Sequence, residues 1–433
     1  MLKKIKRLFW KLPLPSGLKE KLRLKYATYK DKHDKTNDTI VLDESVDMSS
    51  YVKHVLSIPE QKSEYYKSYN ENPKLNGDVR IIAYYLTQFH PNPQNDEWWG
   101  KGTTEWNNVS KAIPQFTGHY QPRLPGELGY YDLRLKENLQ RQIELAQNYG
   151  VDVFCYYYYW FDGKRLLERP LDMFLKNKDL KMNFCICWAN ENWTKRFSGT
   201  NTDILMKVGD TAESCTNFIY DVVDVLDDER YFCINGCPVL TIYRPSLIVD
   251  TQRVIASWRE IVKEKIGKDL YIIAVQEKGD FRDWQALGYD AETEFQPKHI
   301  NNVANDITKS IGTIRKDFSG NIYDYKELVE NRKYLFKQNA DKKVYPAVMP
   351  MWDNTARRNN KAIVYHNSTP ELYKTWLKDA IYTTKNNHKL DSKMVFINAW
   401  NEWGEGAYLE PDRNYGYAYL DATYSALLES EEK

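Results

Sequence analysis

A chain of 433 residues holds either one large domain or two ordinary ones, and barrels with a helical outer layer exceed 250 residues as single units. Its 61 Lys and Arg offset 60 Asp and Glu to leave a formal charge of +1, which excludes a general nucleic-acid binder. Aromatic residues make up 14% of the chain, with 33 Tyr and 13 Trp. Most of these fill a core, but flat apolar faces with polar edges also suit the C–H faces and hydroxyl rims of sugars.

The N-terminus is basic, with Leu2, Ile5, Leu8, Phe9 and Leu12 at helix-like spacing and Trp10 beside them. It is too short and too charged for a signal peptide or a spanning helix, and Pro13 and Pro15 end any helix early. Two readings stand: a segment resting on the anionic inner face of the plasma membrane, or a solvated basic tail. Residues 1–78 read as this tail plus an irregular or helical lead-in. Residues 79–428 read as the catalytic domain.

From residue 79, short apolar runs recur with helical segments between them, the pattern of a parallel sheet. The runs are Val79–Phe89, Val151–Trp160, Met182–Ala189, Val239–Tyr243, Leu270–Gln276, Asp290–Phe295, Val344–Met351 and Met394–Trp400. Most are nearly continuous hydrophobic stretches, as expected of strands covered by helices. Helices are predicted over Lys136–Asn148, Ala212–Asp227, Thr251–Lys265, Tyr325–Phe336 and Glu371–Thr384. The eight-fold alternation predicts an α/β fold, a (β/α)8 TIM-like barrel, with a doubly wound open sheet as the second choice.

A barrel carries its active site at the C-terminal ends of its strands. Polar and aromatic residues gather there after every run: Gln88 and His90, Tyr158 and Trp160, then Trp188, Asn190 and Glu191. Tyr243 and Arg244 follow, then Gln276 and Glu277, Glu294 and Gln296, Trp352 and Asp353 with Arg357, and finally Asn401 and Glu402. Along the second run faces alternate, so at most half of Tyr157 to Trp160 look into the mouth. Trp99, Lys101, Glu105 and Trp106 sit in a long loop after the first run. They form one rim of a substrate cleft, or the tryptophans simply pin the loop to the barrel. His90 contacts sugar hydroxyls or is a satisfied structural histidine, and Asp353 with Arg357 and Arg358 binds substrate or forms a structural ion-pair network.

The eighth run ends in Asn401-Glu402-Trp403-Gly404-Glu405-Gly406. Glycosyl transfer commonly needs two carboxyl groups, about 5–5.5 Å apart in retaining enzymes. Three residues of extended strand span roughly 10 Å, so a turn is required, and Gly404 and Gly406 permit one. Trp400 and Trp403 wall the site and raise the pKa of one carboxyl. The alternative is a surface loop with two solvated glutamates; the interleaved Trp and Gly favour function.

No HExxH, paired CxxC, calcium-loop or dinucleotide glycine pattern occurs, so no metal and no cofactor is expected. Cys155, Cys185 and Cys187 lie in strand-like runs; with Cys215, Cys233 and Cys237 they read as thiols of a reducing, cytoplasmic compartment.

The segments Ile82–Pro91, Trp98–Trp106, Cys187–Glu191, Phe396–Gly406 and Leu409–Pro411 resemble the WbsX-type glycosyltransferases of bacterial surface-polysaccharide loci, which are related to glycoside hydrolase family 99. The resemblance implies a (β/α)8 barrel acting on a glycosidic bond with retention, with mannose-like sugars as the known substrates on the hydrolase side. It implies that Glu402 assists from the sugar 2-hydroxyl through an anhydro-sugar intermediate and that Glu405 is the general acid/base. The expected partner is an oligo- or polysaccharide, free or lipid-linked, of O-antigen or capsule metabolism. Other readings are a glycan-binding barrel without turnover and a scaffold of a polysaccharide-assembly complex.

Overall fold

The computed structural model describes residues 41–194, 204–209, 211–280, 282–298, 300–335 and 342–431. The basic segment read as a membrane contact or solvated tail falls outside the described residues.

Every predicted apolar run contains a parallel strand. They are β1 Arg80–Tyr85, β2 Val153–Phe161, β3 Asn183–Trp188, β4 Cys237–Ile242, β5 Tyr271–Val275, β6 Ala291–Thr293, β7 Val344–Tyr345, β8 Ala347–Val348 and β9 Met394–Ile397. Pairing runs β7-β6-β5-β4-β3-β2-β1-β9-β8, in parallel throughout. β7 and β8 are one stretch of chain broken at Pro346, a residue with no N–H for a ladder. β7 pairs with β6 and β8 pairs with β9, so this broken stretch closes the ring. That closure makes the sheet a (β/α)8 barrel and excludes the open doubly wound alternative.

The helices follow the apolar periodicity closely. Lys136–Asn148 forms as predicted, burying Leu139, Ile143 and Ala146 on one face. Ala212–Leu226 and Thr251–Ile266 pack together, with Trp258 of the second donating to the Cys215 carbonyl of the first (3.0 Å). Pro370–Asn386 opens on Thr369, whose hydroxyl accepts from Leu372 N–H. The fourth predicted helix is shorter, Tyr325–Glu330, because the chain turns through Arg332 at positive φ. All six cysteines carry free thiols, four of them buried.

Residues 41–78 are not a separate layer. The helix Met48–Ser57 lies over the loops after β1, where Tyr51 donates to the Pro114 carbonyl (2.9 Å) and His54 meets the His119 carbonyl (3.0 Å). Further on, Ser63 N–H reaches the Asn414 carbonyl and Lys67 N–H the Tyr415 carbonyl. No helix of the described residues is long and apolar enough to cross a membrane.

Candidate active site at the barrel mouth

A cavity of about 410 Å³ opens where the strands end, within the size range of small-molecule sites. Its walls are Tyr157 and Tyr159 from β2, Glu191 and Trp193 after β3, Tyr243 and Arg244 after β4, and Phe295 after β6. Asn354, Arg357 and Arg358 line it after β8, and Glu402 and Glu405 after β9.

Local backbone geometry brings the two glutamates together. Asn401–Glu402 pairs antiparallel with Ala407–Tyr408, and a single 3-10 turn, Trp403–Glu405, joins them. Gly406 closes the turn at φ 56, the left-handed region that glycine enters freely. Gly404 serves otherwise than its sequence suggested. Its φ is ordinary, but a Cβ there would lie 1.7 Å from Glu105 Oε1 and 2.8 Å from Arg357 Nε. Space, not torsion, requires glycine at 404.

Arg357 sits at the centre. Its Nε donates to Glu105 Oε1 (2.7 Å), one terminal nitrogen to Glu402 Oε2 (2.8 Å), and the other reaches Glu405 Oε1 (2.9 Å). Three carboxyl groups therefore share one buried guanidinium. Burial raises the Glu402 carboxyl to about 8; Glu405 and Glu105 push the same way, while Arg357 opposes them. Burial likewise raises Glu405, again against the pull of Arg357. Near neutral pH the Glu402–Glu405 pair thus holds a proton, shared by two coupled groups.

The opposite wall carries a second ion-pair cluster. Arg244 bonds Glu191 and Glu277 (Nε to Oε2, 2.5 Å for the latter), and Ser246 N–H donates to Glu277. Lys298 places Nζ 3.6 Å from the Tyr243 ring centroid, and burial lowers its pKa to about 8.

Of the residues singled out in the sequence, Glu402, Glu405, Arg357, Arg358, Glu191, Tyr243 and Arg244 line the cavity. Glu105 lies fully buried behind Arg357. Gln88, His90, Tyr158, Trp160, Trp188 and Asn190 do not line it. Along β2 the inward parity belongs to Tyr157 and Tyr159, whereas Tyr158 and Trp160 point to the helices and bond Asp221. Trp188 stacks on Phe218 of the helical layer (4.1 Å, 6°). Asn190 is used up in holding Arg244, accepting from its N–H and donating to its carbonyl (2.8 Å each). Gln88 and His90 are buried, His90 bonding the Thr87 carbonyl at 3.1 Å. Trp99 is half-buried and Lys101 exposed in their loop.

Several of these residues build the walls from behind. Trp106 donates to the Tyr131 carbonyl (2.8 Å) and packs on Trp403, which stacks on Tyr408 (3.8 Å, 13°). Asn401 clamps β1 by accepting from Leu86 N–H (2.7 Å) and donating to its carbonyl (3.0 Å). Trp352 is buried in a short strand, Trp352–Asp353, that pairs with Ile363–His366. Asp353 is fully buried and accepts from Gln121 (2.6 Å), Thr355 (2.6 Å) and His119 Nε2 (2.7 Å). Gln115 N–H donates to His119 Nδ1, so Nε2 carries the hydrogen. Burial alone would raise the Asp353 carboxyl, but His119 and Arg123 hold it well below the usual range. Tyr157 and Tyr159 were left open as one of two possible inward pairs, and Trp193 and Phe295 were not selected in the sequence. Strand parity was the available signal for the first two, and no single sequence fixes which parity faces inward. Among the described residues no group of three or more His, Cys, Asp or Glu is arranged to hold a metal ion.

Two outcomes follow from this geometry. Gly404→Ala should break the Glu105–Arg357 pair and cost about 1–3 kcal/mol in denaturant unfolding, and wild-type stability would contradict the close approach. Glu402 has a folded pKa above its unfolded one, so its contribution is present below about pH 4.5 and is lost as pH rises towards 8. Glu402→Gln should therefore become progressively more stable relative to the parent between pH 5 and 8, and a pH-independent difference would refute this assignment.

A family model, glycosyltransferase WbsX, matches residues 81–423. Two proteins titled uncharacterized protein WxcX, from two strains of Xanthomonas campestris pv. campestris, are each 41% identical over 349 residues, covering 80% of this chain and 49% of theirs. The chain thus spans about half the length of the curated relatives it matches. Among solved structures, the GH99 endo-alpha-mannosidase of Bacteroides thetaiotaomicron superposes with a TM-score of 0.50 at 16% identity, over 82% of this chain and 98% of that one. A glycoside hydrolase-like protein gives 0.51 at 15%, over 84% and 98%. At such identities the likeness concerns the barrel fold alone. With residues 81–423 matched and 80% of this chain aligned to a 41% identical relative, the chain belongs to the WbsX glycosyltransferase family.

Proposed function

We propose that the barrel cleaves or transfers a glycosyl unit of a bacterial surface polysaccharide, O-antigen or capsule, with retention at the anomeric carbon. The observation that carries this reading is the pair Glu402 and Glu405 on Arg357, at the floor of a cavity walled by Tyr157, Tyr159, Trp193 and Tyr243. Such walls suit sugar faces, and the substrate is an oligo- or polysaccharide, mannose-like and free or lipid-linked.

In this mechanism Glu402 takes the proton of the sugar 2-hydroxyl as its oxygen bonds to the anomeric carbon. Glu405 protonates the departing oxygen as the glycosidic bond breaks. Water or an acceptor hydroxyl then attacks the anomeric carbon and opens the anhydro ring. Glu405 receives the attacking group's proton, and Glu402 returns its own to the 2-oxygen. The proton held by the pair must start on Glu405; a 2-hydroxyl donating to Glu402 favours that state, because such a bond stabilises the ionised carboxylate. Arg357 keeps one positive charge beside both groups throughout, in place of solvent reorganisation.

Glu402→Gln and Glu405→Gln should each lower turnover by at least about 100-fold while sparing glycan binding. The assay is incubation with free and lipid-linked oligosaccharides, with and without nucleotide-sugars, followed by product mass analysis. Full activity in both variants would sink the assignment, and glycan binding without any product would leave a binding barrel. Products formed only with nucleotide-sugar indicate transfer, and chain shortening without it indicates hydrolysis.

The basic N-terminal segment is read as a peripheral contact with the inner face of the plasma membrane, on the strength of its charge and apolar spacing. Deleting residues 1–40 should abolish sedimentation with anionic vesicles while retaining activity on a free oligosaccharide. Unchanged sedimentation would remove the membrane contact.

A further inference from the structure

One buried carboxyl outside the cavity touches no cavity wall directly yet bonds the residues that set the glutamate turn. Glu410 is 2% exposed. Its Oε2 accepts from Trp403 Nε1 (2.6 Å) and Tyr131 Oη (2.9 Å), and its Oε1 from Gln142 Nε2 (2.6 Å). Gln142 in turn accepts from Tyr85 Oη at the end of β1 (2.6 Å). Tyr131 Oη also receives Asn401 Nδ2 (3.2 Å), the amide that clamps Leu86. Backbone bonds complete the attachment, since Leu409 N–H donates to the Trp400 carbonyl (2.9 Å).

We propose that Glu410 is a positioning residue for the Glu402–Glu405 pair, fixing the turn through Trp403 on one side and through Tyr131 and Asn401 on the other. Trp403 is the residue between Glu402 and Gly404, and its indole is held in its plane by Tyr408 and Trp106 but held in rotation by its single N–H. Three donors converge on a carboxyl, which has acceptor sites for all of them and no hydrogen to misplace. Glutamine would present an NH2 to one of those donors and lose that bond. An aliphatic side chain would leave all three donors buried and unpaired. Arg357 holds the carboxyl ends of Glu402 and Glu405, so both ends of each side chain are fixed: the tips by Arg357, the backbone by Glu410.

The catalytic part of this inference rests on the proposed function, but the positioning part does not. The test is Glu410→Gln, with Trp403→Phe as the variant that removes the N–H donor together with part of the stacked ring. Two readouts are taken: the ¹³C titration of the Glu402 side-chain carboxyl by NMR, and kcat and KM on whichever oligosaccharide the wild type processes. Glu410→Gln should move the Glu402 titration midpoint and lower kcat about 10- to 100-fold, with KM within about twofold. Trp403→Phe should act in the same direction, and the double variant should lose no more than the larger single loss, as expected of one shared interaction. An unchanged Glu402 titration in folded Glu410→Gln overturns the proposal, as do fully additive losses. If Glu410→Gln does not fold, the same titration in Trp403→Phe decides it. Should Glu402→Gln itself retain full turnover, the proposed chemistry fails while the titration still tests positioning.

Discussion

One guanidinium surrounded by three carboxyl groups governs the mouth of this barrel. Removing charges from water costs several kcal/mol each, and only close opposite charge and hydrogen bonding offset that cost. Arg357 supplies both to Glu402 and Glu405, neighbours in one turn, and to Glu105 from a distant part of the chain. Burial raises the Glu402 carboxyl, and Glu405 and Glu105 add to this against the single charge of Arg357, so a proton stays in the cluster. A group able to lend a proton near neutrality is what acid–base chemistry on a glycoside requires. The same crowding dictates Gly404, since any side chain there would occupy the space of Glu105.

The cluster depends on three loops being held in register, and buried polar residues do this. Asp353, satisfied by His119, Gln121 and Thr355, ties the loop after β8 to the long excursion after β1. Asn401 ties the last strand end to Leu86. Asp353 and Asn401 are each bonded through both side-chain polar atoms in a dry environment, where an unmet donor or acceptor is costly. Rigid support behind a flexible-looking loop sequence is how two glutamates three residues apart keep a defined relation.

Much of this architecture was legible beforehand. Near-continuous runs such as Cys185–Trp188 and Ile272–Val275 can only be strands covered on both faces, and the helices between them kept the expected apolar stripe. The glutamate turn was legible too, because Glu402 and Glu405 sit beside glycines and tryptophans. Less so the allocation of polar and aromatic residues. Tyr158, Trp160 and Trp188 look like sugar platforms in sequence yet pack under helices, and Asn190, Asn401 and Asp353 spend their hydrogen bonds on the protein. A strand pattern gives alternation but not its phase when both faces are apolar.

What the sequence determined by itself is therefore periodic and local: eight strand positions, their helical cover, and a Gly-bearing turn that sets two acids side by side. Hydrophobic spacing and backbone torsion act within a few residues, so they can be read from one segment at a time. What only the tertiary structure decided is the company those acids keep. Arg357 reaches Glu402 across a separation of 45 residues and Glu105 across 252. Those meetings follow from closing the ring, which brings the chain after β1, β8 and β9 to one mouth. That closure is a property of the packed whole, in which each strand's orientation is fixed by its neighbours.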